Sequence, residues 1–426
     1  MASNSRVVLH EAHDAPNTLR QLAESSGVRT EEIYAQIAVL NARLRATLGY
    51  RTDPITVIGT GTVRVDRIAG LLRLNNRVEL EVVPKFLDPR TDDWRADFFL
   101  LAILVTTGHL LVADAISAGL QDRGDLATLV AQALLRMHRQ NERRPIRGYR
   151  RMTHAEFAVD GDVDWETVIL PEPGGFRLER LELTSRNAYN AVLRGAANAL
   201  IPEVGEGDVQ AQLRRLSRQL GNQARPPRYY SPLPQRHQAW RQTYALSQLV
   251  LEGMGLDLRA GEFTGPGFVL STWEAWQYLC EEVVRRALPG RRVLTQHPFV
   301  LGQRETTDVV THPDISVLRG EEADFLMDAK YRIRFERKPM VGNADLYESL
   351  AFLRAAGTHD MILLYPAEQK SDDVPIGTLR AFDRIRVGDM TVKGVEMHVG
   401  GLSARGGFER LIAGVRESLI SILAHG

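Results

Sequence analysis

Cysteine is almost missing. Cys280 stands alone in 426 residues, which excludes an intramolecular disulfide and a thiolate zinc cluster and suits a reducing, cytoplasmic compartment. Lysine is scarce as well: Lys85, Lys330, Lys338, Lys370 and Lys393 stand against 48 arginines, so each lysine asks why arginine was not used there. Net charge is also lacking. Lys+Arg and Asp+Glu are 53 each, which argues against a free-standing basic DNA coat protein and leaves nucleic-acid contact to local patches. No membrane span is expected, because the longest apolar stretch, Phe98 to Ala113 between Asp97 and Asp114, is broken by Thr106, Thr107, Gly108 and His109. It falls short of the roughly 20 apolar residues a bilayer needs and reads as a buried helix. The start, MASNSRVVLHEAHD, has no basic segment leading into an apolar run, so it is not a secretory signal. No G-x-x-x-x-G-K-[ST] occurs, so no nucleotide is expected on this chain, and Gly59-Thr60-Gly61-Thr62 reads as a hairpin turn.

What remains is ordinary globular composition, 44% hydrophobic and 25% charged, in a length that suggests two or three domains. Residues 17–49 carry helical periodicity, with Ile33, Ile37, Leu40 and Leu44 on one face. From Ile55 the period changes to that of strands, and Asn75-Asn76 marks a hairpin before Val78–Val83. The first half is expected to be mixed α/β with small sheets. Between Gly221 and Arg236, Pro226, Pro227, Pro232 and Pro234 can continue neither a helix nor a central strand. This predicts a boundary: residues 1–225, a proline-rich linker at 226–236, and a second domain at 237–426. The second part reads helix (STWEAWQYLCEEVVRRAL), strands RRVLTQHPFV, DVVTHPDISVL and ADFLMDAKYRI, helix ADLYESLAFLRAAG, then strand DMILLYP. That αβββαβ order predicts a mixed sheet flanked by helices, in a fold that is α/β or, over the whole chain, α+β.

The chemistry concentrates on Asp314, Asp328 and Lys330. Asp314 follows Pro313, and Asp328-Ala329-Lys330 lies at hairpin distance in the next strand, where alternation puts Asp328 and Lys330 on one face. Two carboxylates together form an oxygen site for Mg²⁺, with Mn²⁺ as the alternative ion, and an adjacent lysine can orient or help deprotonate the attacking water. This is the PD-(D/E)xK layout of metal-dependent nucleases. The bland alternative is a solvated Asp328–Lys330 pair on an edge strand. A third acid is expected from the preceding helix, and Glu274, between Trp273 and Trp276, is preferred as catalytic residue and metal ligand. Its alternative is a capping box with Ser271. Glu281 and Glu282 are further candidates for that acid, but they precede Arg285 and Arg286 at i,i+4 and read more simply as a solvated face.

These residues carry a resemblance that covers most of the chain. Trp273-Glu274, His312-Pro313-Asp314-Ile315 and Asp328-Ala329-Lys330-Tyr331 resemble the McrC family, nuclease subunits of McrBC modification-dependent restriction systems. Val78–Val83 running into Pro84-Lys85-Phe86 is similar too, and Asn187-Ala188-Tyr189-Asn190 more loosely. The resemblance implies cleavage of double-stranded DNA by Glu274, Asp314, Asp328 and Lys330, and docking of residues 1–225 on a hexameric McrB-like AAA+ GTPase or ATPase. One departure stands out: where related nucleases carry Gln-x-x-x-Tyr after the lysine, this chain has Glu348 and Phe352. Competing classes are a stand-alone repair or recombination nuclease and a non-catalytic activator of the NTPase. Arginine clusters at 143, 144, 147, 150 and 151 and at 214, 215, 218, 225 and 228 suit phosphates, an acidic partner or plain solvent equally. His10 and His13 lack HExxH spacing.

Overall fold

The computed structural model describes residues 5–59, 61–75, 77–87, 94–107, 126–159, 162–170, 173–204, 207–221, 225–227, 229–253, 269–332, 340–367, 374–404 and 406–424. Lys338, Lys370, Arg228 and the second half of the apolar stretch after Thr107 lie outside them. The chain folds as two units: Met1–Leu126 joined with Asp257–Gly426, and Ala127–Leu256.

The first unit opens with β1 (Ser5–His10), β2 (Asp14–Ala15), α1 (Thr18–Ser26), α2 (Thr30–Leu48), β3 (Ile55–Ile58), β4 (Thr62–Val65), β5 (Ile68–Arg73), β6 (Val78–Val83) and α3 (Trp94–Thr107). The Asn75 carboxamide oxygen accepts from the N–H groups of Arg77 and Val78, forming the turn that makes β5 and β6 antiparallel. Leu22, Ile33, Ile37, Leu40 and Leu44 close over the inner face of β1, β5 and β6. Among the described residues no helix is long and apolar enough to cross a membrane.

The second unit contains α4 (Leu126–Asn141), β7 (Gly148–Glu156), β8 (Asp162–Val163), α5 (Trp165–Ile169), β9 (Phe176–Thr184), α6 (Ala188–Leu200), α7 (Asp208–Gln219) and α8 (Arg241–Gly253). Its sheet runs β7-β9-β8, with β7 and β9 paired antiparallel from Gly148↔Thr184 to Glu156↔Phe176. The Asn187 side chain caps α6 through the Asn190 N–H.

The chain then returns to the first unit with β10 (Val269–Ser271), α9 (Thr272–Ala287), β11 (Arg292–Thr295), β12 (Phe299–Gln303), β13 (Asp308–Thr311), β14 (Ile315–Arg319), β15 (Glu322–Ala329), α10 (Asn343–Ala356), β16 (Asp360–Pro366), β17 (Leu379–Val387), β18 (Met390–Met397) and α11 (Gly407–Ala424). The mixed sheet is six-stranded, β11-β14-β15-β16-β18-β17, with β15, β16 and β18 parallel and the remaining pairs antiparallel. Phe352 and Leu353 of α10 pack with Leu326, Leu363 and Val392 from the sheet. Gly320, at φ +68°, supplies the left-handed position of the two-residue turn between β14 and β15.

Two expectations need correction. The boundary at 226–236 is not where the units divide. Prolines forbid regular structure there without forbidding packing, and the Pro226 ring lies 2.5 Å from where a Cβ on Gly195 of α6 would sit. Tyr189 and Tyr244 also donate hydroxyl hydrogen bonds to the carbonyls of Pro232 and Ser231, each at 3.2 Å. Residues 1–126 meanwhile form one unit with residues 257–426, and β10 pairs with β5 in the sheet β1-β6-β5-β10. The second correction concerns two long strands. RRVLTQHPFV breaks at Gln296–Pro298 and DVVTHPDISVL at His312–Asp314, each interrupted by a proline that cannot donate to a ladder. The outer pieces, β12 and β13, form their own two-stranded sheet.

Candidate active site

Antiparallel pairing of β14 with β15, in the register Ile315↔Met327, sets Asp314 against Asp328 at the carboxyl end of β15. The Asp314 N–H points at Asp328 Oδ1 at 3.4 Å, and the Ala329 N–H donates to Asp314 Oδ2 at 2.8 Å. Asp314 Oδ1 accepts from Gln296 Nε2 at 2.6 Å. Lys330 Nζ lies 2.6 Å from Asp328 Oδ2 and 2.7 Å from Glu348 Oε2. The structure thus brings Asp314, Asp328 and Lys330 together. Since β15 lies inside the sheet and Asp328 is only 5% exposed, the pair is not a solvated edge contact.

The electrostatics follow from burial. Desolvation, reinforced by the negative charge of Asp314, pushes the Asp328 carboxyl up to about 7. Asp314 is raised for the same first reason, against the pull of the Ala329 N–H, with Glu281 adding to the rise. Burial opposes the charge on Lys330, yet the carboxylates of Asp328 and Glu348 outweigh it and hold the ammonium protonated to higher pH than usual. The group is crowded with negative charge and suited to a cation.

Glu274 makes no hydrogen bond or ion pair with this group among the described residues. It sits half-buried in the first turn of α9, where its charge acts on Tyr50, and the Ser271 side chain makes no cap hydrogen bond. Two turns further on, Glu281 is the helix acid that acts electrostatically on Asp314. Arg285 and Arg286 pair with Glu282, at 2.6 and 2.7 Å. Glu281 instead accepts from Gln277 Nε2 at 2.9 Å, and burial pushes its carboxyl up. In the sequence Glu281 is a candidate for the helix acid, but one that reads as a solvated face because helical spacing offers both glutamates to the arginines. Gln296 was missed. It holds φ +50°, uncommon for a non-glycine residue, and carries no motif signal.

The helix after the lysine is clamped by a period match. Lys330 and Arg332, two apart along the chain, meet Glu348 and Asp345, three apart on α10, with Arg332 Nη2 3.1 Å from Asp345 Oδ1. Glu348 therefore belongs to the site, whereas Phe352 belongs to the core.

The arrangement defines a mixed α/β protein with an acid–acid–lysine site at the end of a central strand. A family model of McrBC 5-methylcytosine restriction system components matches residues 63–366, and the chain belongs to that family. A refined half-complex from a tetradecameric assembly of Thermococcus gammatolerans McrB AAA+ hexamers with bound McrC contains a similar chain. Its TM-score is 0.70 at 16% identity, covering 98% of this chain and 100% of that one. A chain of the cryo-EM structure of the Thermococcus gammatolerans McrBC complex matches with TM-score 0.50 at 15% identity, over 67% of this chain and 88% of that one. No curated protein matches. No P-loop motif occurs in the sequence.

Proposed function

We propose that the chain is the DNA-cleaving subunit of a McrBC-type restriction system, hydrolysing phosphodiesters in double-stranded DNA when assembled with an AAA+ NTPase hexamer. The observation that carries this reading is the Asp314–Asp328–Lys330 group, with Asp328 buried and its two neighbours half-buried. The donor set fits Mg²⁺: two carboxylates short of positive charge. Among the described residues no third acid, histidine or cysteine closes a protein cage, in keeping with an ion that retains waters and takes phosphate oxygens. Asp314 and Asp328 would hold it, while Glu281 rather than Glu274 adds negative charge from the helix. When bound, the ion would make a water more acidic and neutralise phosphate charge.

The chain's own groups do the rest. Gln296 and the Ala329 N–H fix the Asp314 carboxylate so that its orientation need not be found during the reaction. Lys330, held as an ammonium between Asp328 and Glu348, orients the attacking water and stabilises charge on the phosphoryl oxygens; it is poorly suited to removing a proton. The family description makes DNA carrying 5-methylcytosine the first substrate to test.

Docking on the hexamer is assigned to the unit Ala127–Leu256. On one face of the paired strands β7 and β9, Tyr149 pairs with Leu183 and Leu181 lies beside them, all well exposed, while Phe157, Trp165, Ile169 and Leu170 are exposed toward the other end of the pair. Apolar residues gathered this way mark an interaction surface. The test of the nuclease reading is cleavage of methylated DNA by Asp314→Ala and Asp328→Ala with partner and NTP present. Loss of cleavage is expected, and wild-type rates in either variant would remove the assignment.

A further inference from the structure

One buried carboxylate ties four separated stretches of the first unit to the end of the candidate catalytic strand. Glu11, just past β1, is 1% exposed. Its Oε1 accepts from the Arg67 N–H at 3.0 Å and the Thr272 hydroxyl at 2.7 Å. Its Oε2 accepts from the Lys85 N–H at 3.2 Å and from the Tyr331 hydroxyl. Lys85 Nζ lies 3.5 Å from the centroid of the Tyr331 ring, and Phe86 meets that ring edge-on at 5.8 Å. Tyr331 is the residue after Lys330. The Lys330 N–H is itself held by the Leu364 carbonyl at 2.8 Å, which also accepts from Trp276 Nε1 at 3.1 Å.

Two features set this hub apart from ordinary core. Ala12 and Arg67, next to Glu11 in sequence and in hydrogen bonding, hold φ of +62° and +63°; such conformations in non-glycine residues persist only where the surroundings over-determine them. The hub also places the half-buried Lys85 ammonium within the field of a fully buried carboxylate, and burying charge in this way is a poor source of stability. Burial pulls the Lys85 ammonium down to about 8 and pushes the Glu11 carboxyl up, against the attraction of Lys85.

We propose that Glu11 and Lys85 are positioning residues for the nuclease site, acting through Tyr331 to fix the backbone that carries Asp328 and Lys330. This rests on the nuclease reading above and deepens it: the amino-terminal sheet sets the geometry of the carboxylate pair.

The experiment is single-turnover cleavage of methylated DNA by the full chain with its AAA+ partner, NTP and saturating Mg²⁺. Tyr331→Phe removes only the hydroxyl, and Lys85→Met removes the charge while keeping the stem over the ring. Each should lower the rate roughly 10- to 100-fold, the scale of a misplaced reacting group, with KM for DNA and partner NTPase stimulation unchanged. The double variant should be no slower than the slower single, since both act on one stretch of backbone. Glu11→Gln, which keeps an acceptor oxygen, should retain more rate than Glu11→Ala, and it carries the test if either other variant fails to fold. Wild-type rates, a loss seen only in KM, or multiplicative effects in the double would overturn the proposal. Lys330→Ala separates the two claims. If it cuts normally, the nuclease reading fails; if it is inactive while Tyr331→Phe is fully active, only the positioning role fails.

Discussion

Two antiparallel strand pairs, β14–β15 and β7–β9, use the same apolar residue types for opposite ends. In β14 and β15, Ile315, Val317, Phe325, Leu326 and Met327 are all buried, covered by helices as central strands of a mixed sheet are. In β7 and β9, Tyr149, Leu181 and Leu183 remain 65%, 66% and 50% exposed. The first pair shields the Asp328 carboxyl from water and so raises the energetic value of the charges near it. The second offers its side chains to something outside. Burial, more than composition, separates the part suited to chemistry from the part suited to assembly.

That contrast can be broken at several points. Within the first unit, Glu281→Gln should lower cleavage about 100-fold if the helix acid serves the carboxylate pair, whereas Glu274→Gln should change it little. The reverse ranking in a single-turnover assay would restore the sequence-based preference for Glu274. In the second unit, replacing Tyr149, Leu181 and Leu183 together by serine should weaken stimulation of the partner NTPase by about 10-fold or more, since exposed aromatic and aliphatic anchors dominate interface energies. Thermal stability should hardly move, because these side chains are already in water. A large drop in melting temperature with unchanged stimulation would make them part of the fold.

The smallest effect is a pH dependence in the metal-free protein. The folded state holds the Asp328 proton more tightly than the unfolded chain, raising the group from 3.8 to about 7. Its contribution to stability is therefore full below about pH 4 and is lost as pH rises through about 7. In a chelator, Asp328→Asn should melt a few degrees above wild type at pH 8 and differ little at pH 4. Added Mg²⁺ should raise the wild-type melting temperature, more at pH 8 than at pH 6, and leave Asp328→Asn where it was. A wild-type curve flat across this range would place Asp328 in a far more solvated setting than its burial indicates.

Much of the candidate site was legible because its signals are local. Asp314, Asp328 and Lys330 lie within one hairpin, the apolar run Phe325-Leu326-Met327 announces a covered strand, and Gly320 supplies the turn. What escaped was set by distance or by geometry without a motif. Glu11 meets Tyr331 across 320 positions, so no spacing rule connects them. Gln296 acts through a left-handed backbone that nothing in its neighbours requires. The domain boundary was misplaced because proline reports what backbone structure is forbidden, whereas units are defined by packing. Tyr189, Tyr244 and Gly195 hold the proline segment inside the second unit. The pairing of β10 with β5 joins the two ends of the first unit, and a three-residue strand gives little pattern to read.

The most direct test of this account reads two signals from one reaction mixture of chain, AAA+ partner, NTP, Mg²⁺ and methylated DNA. Cleavage and partner NTPase rate are measured side by side for Asp328→Ala and for the Tyr149, Leu181 and Leu183 serine variant. Asp328→Ala should lose cleavage and keep NTPase stimulation, while the surface variant should lose stimulation first and cleavage only as a consequence. Cleavage at the wild-type rate by Asp328→Ala, with stimulation intact, would contradict this.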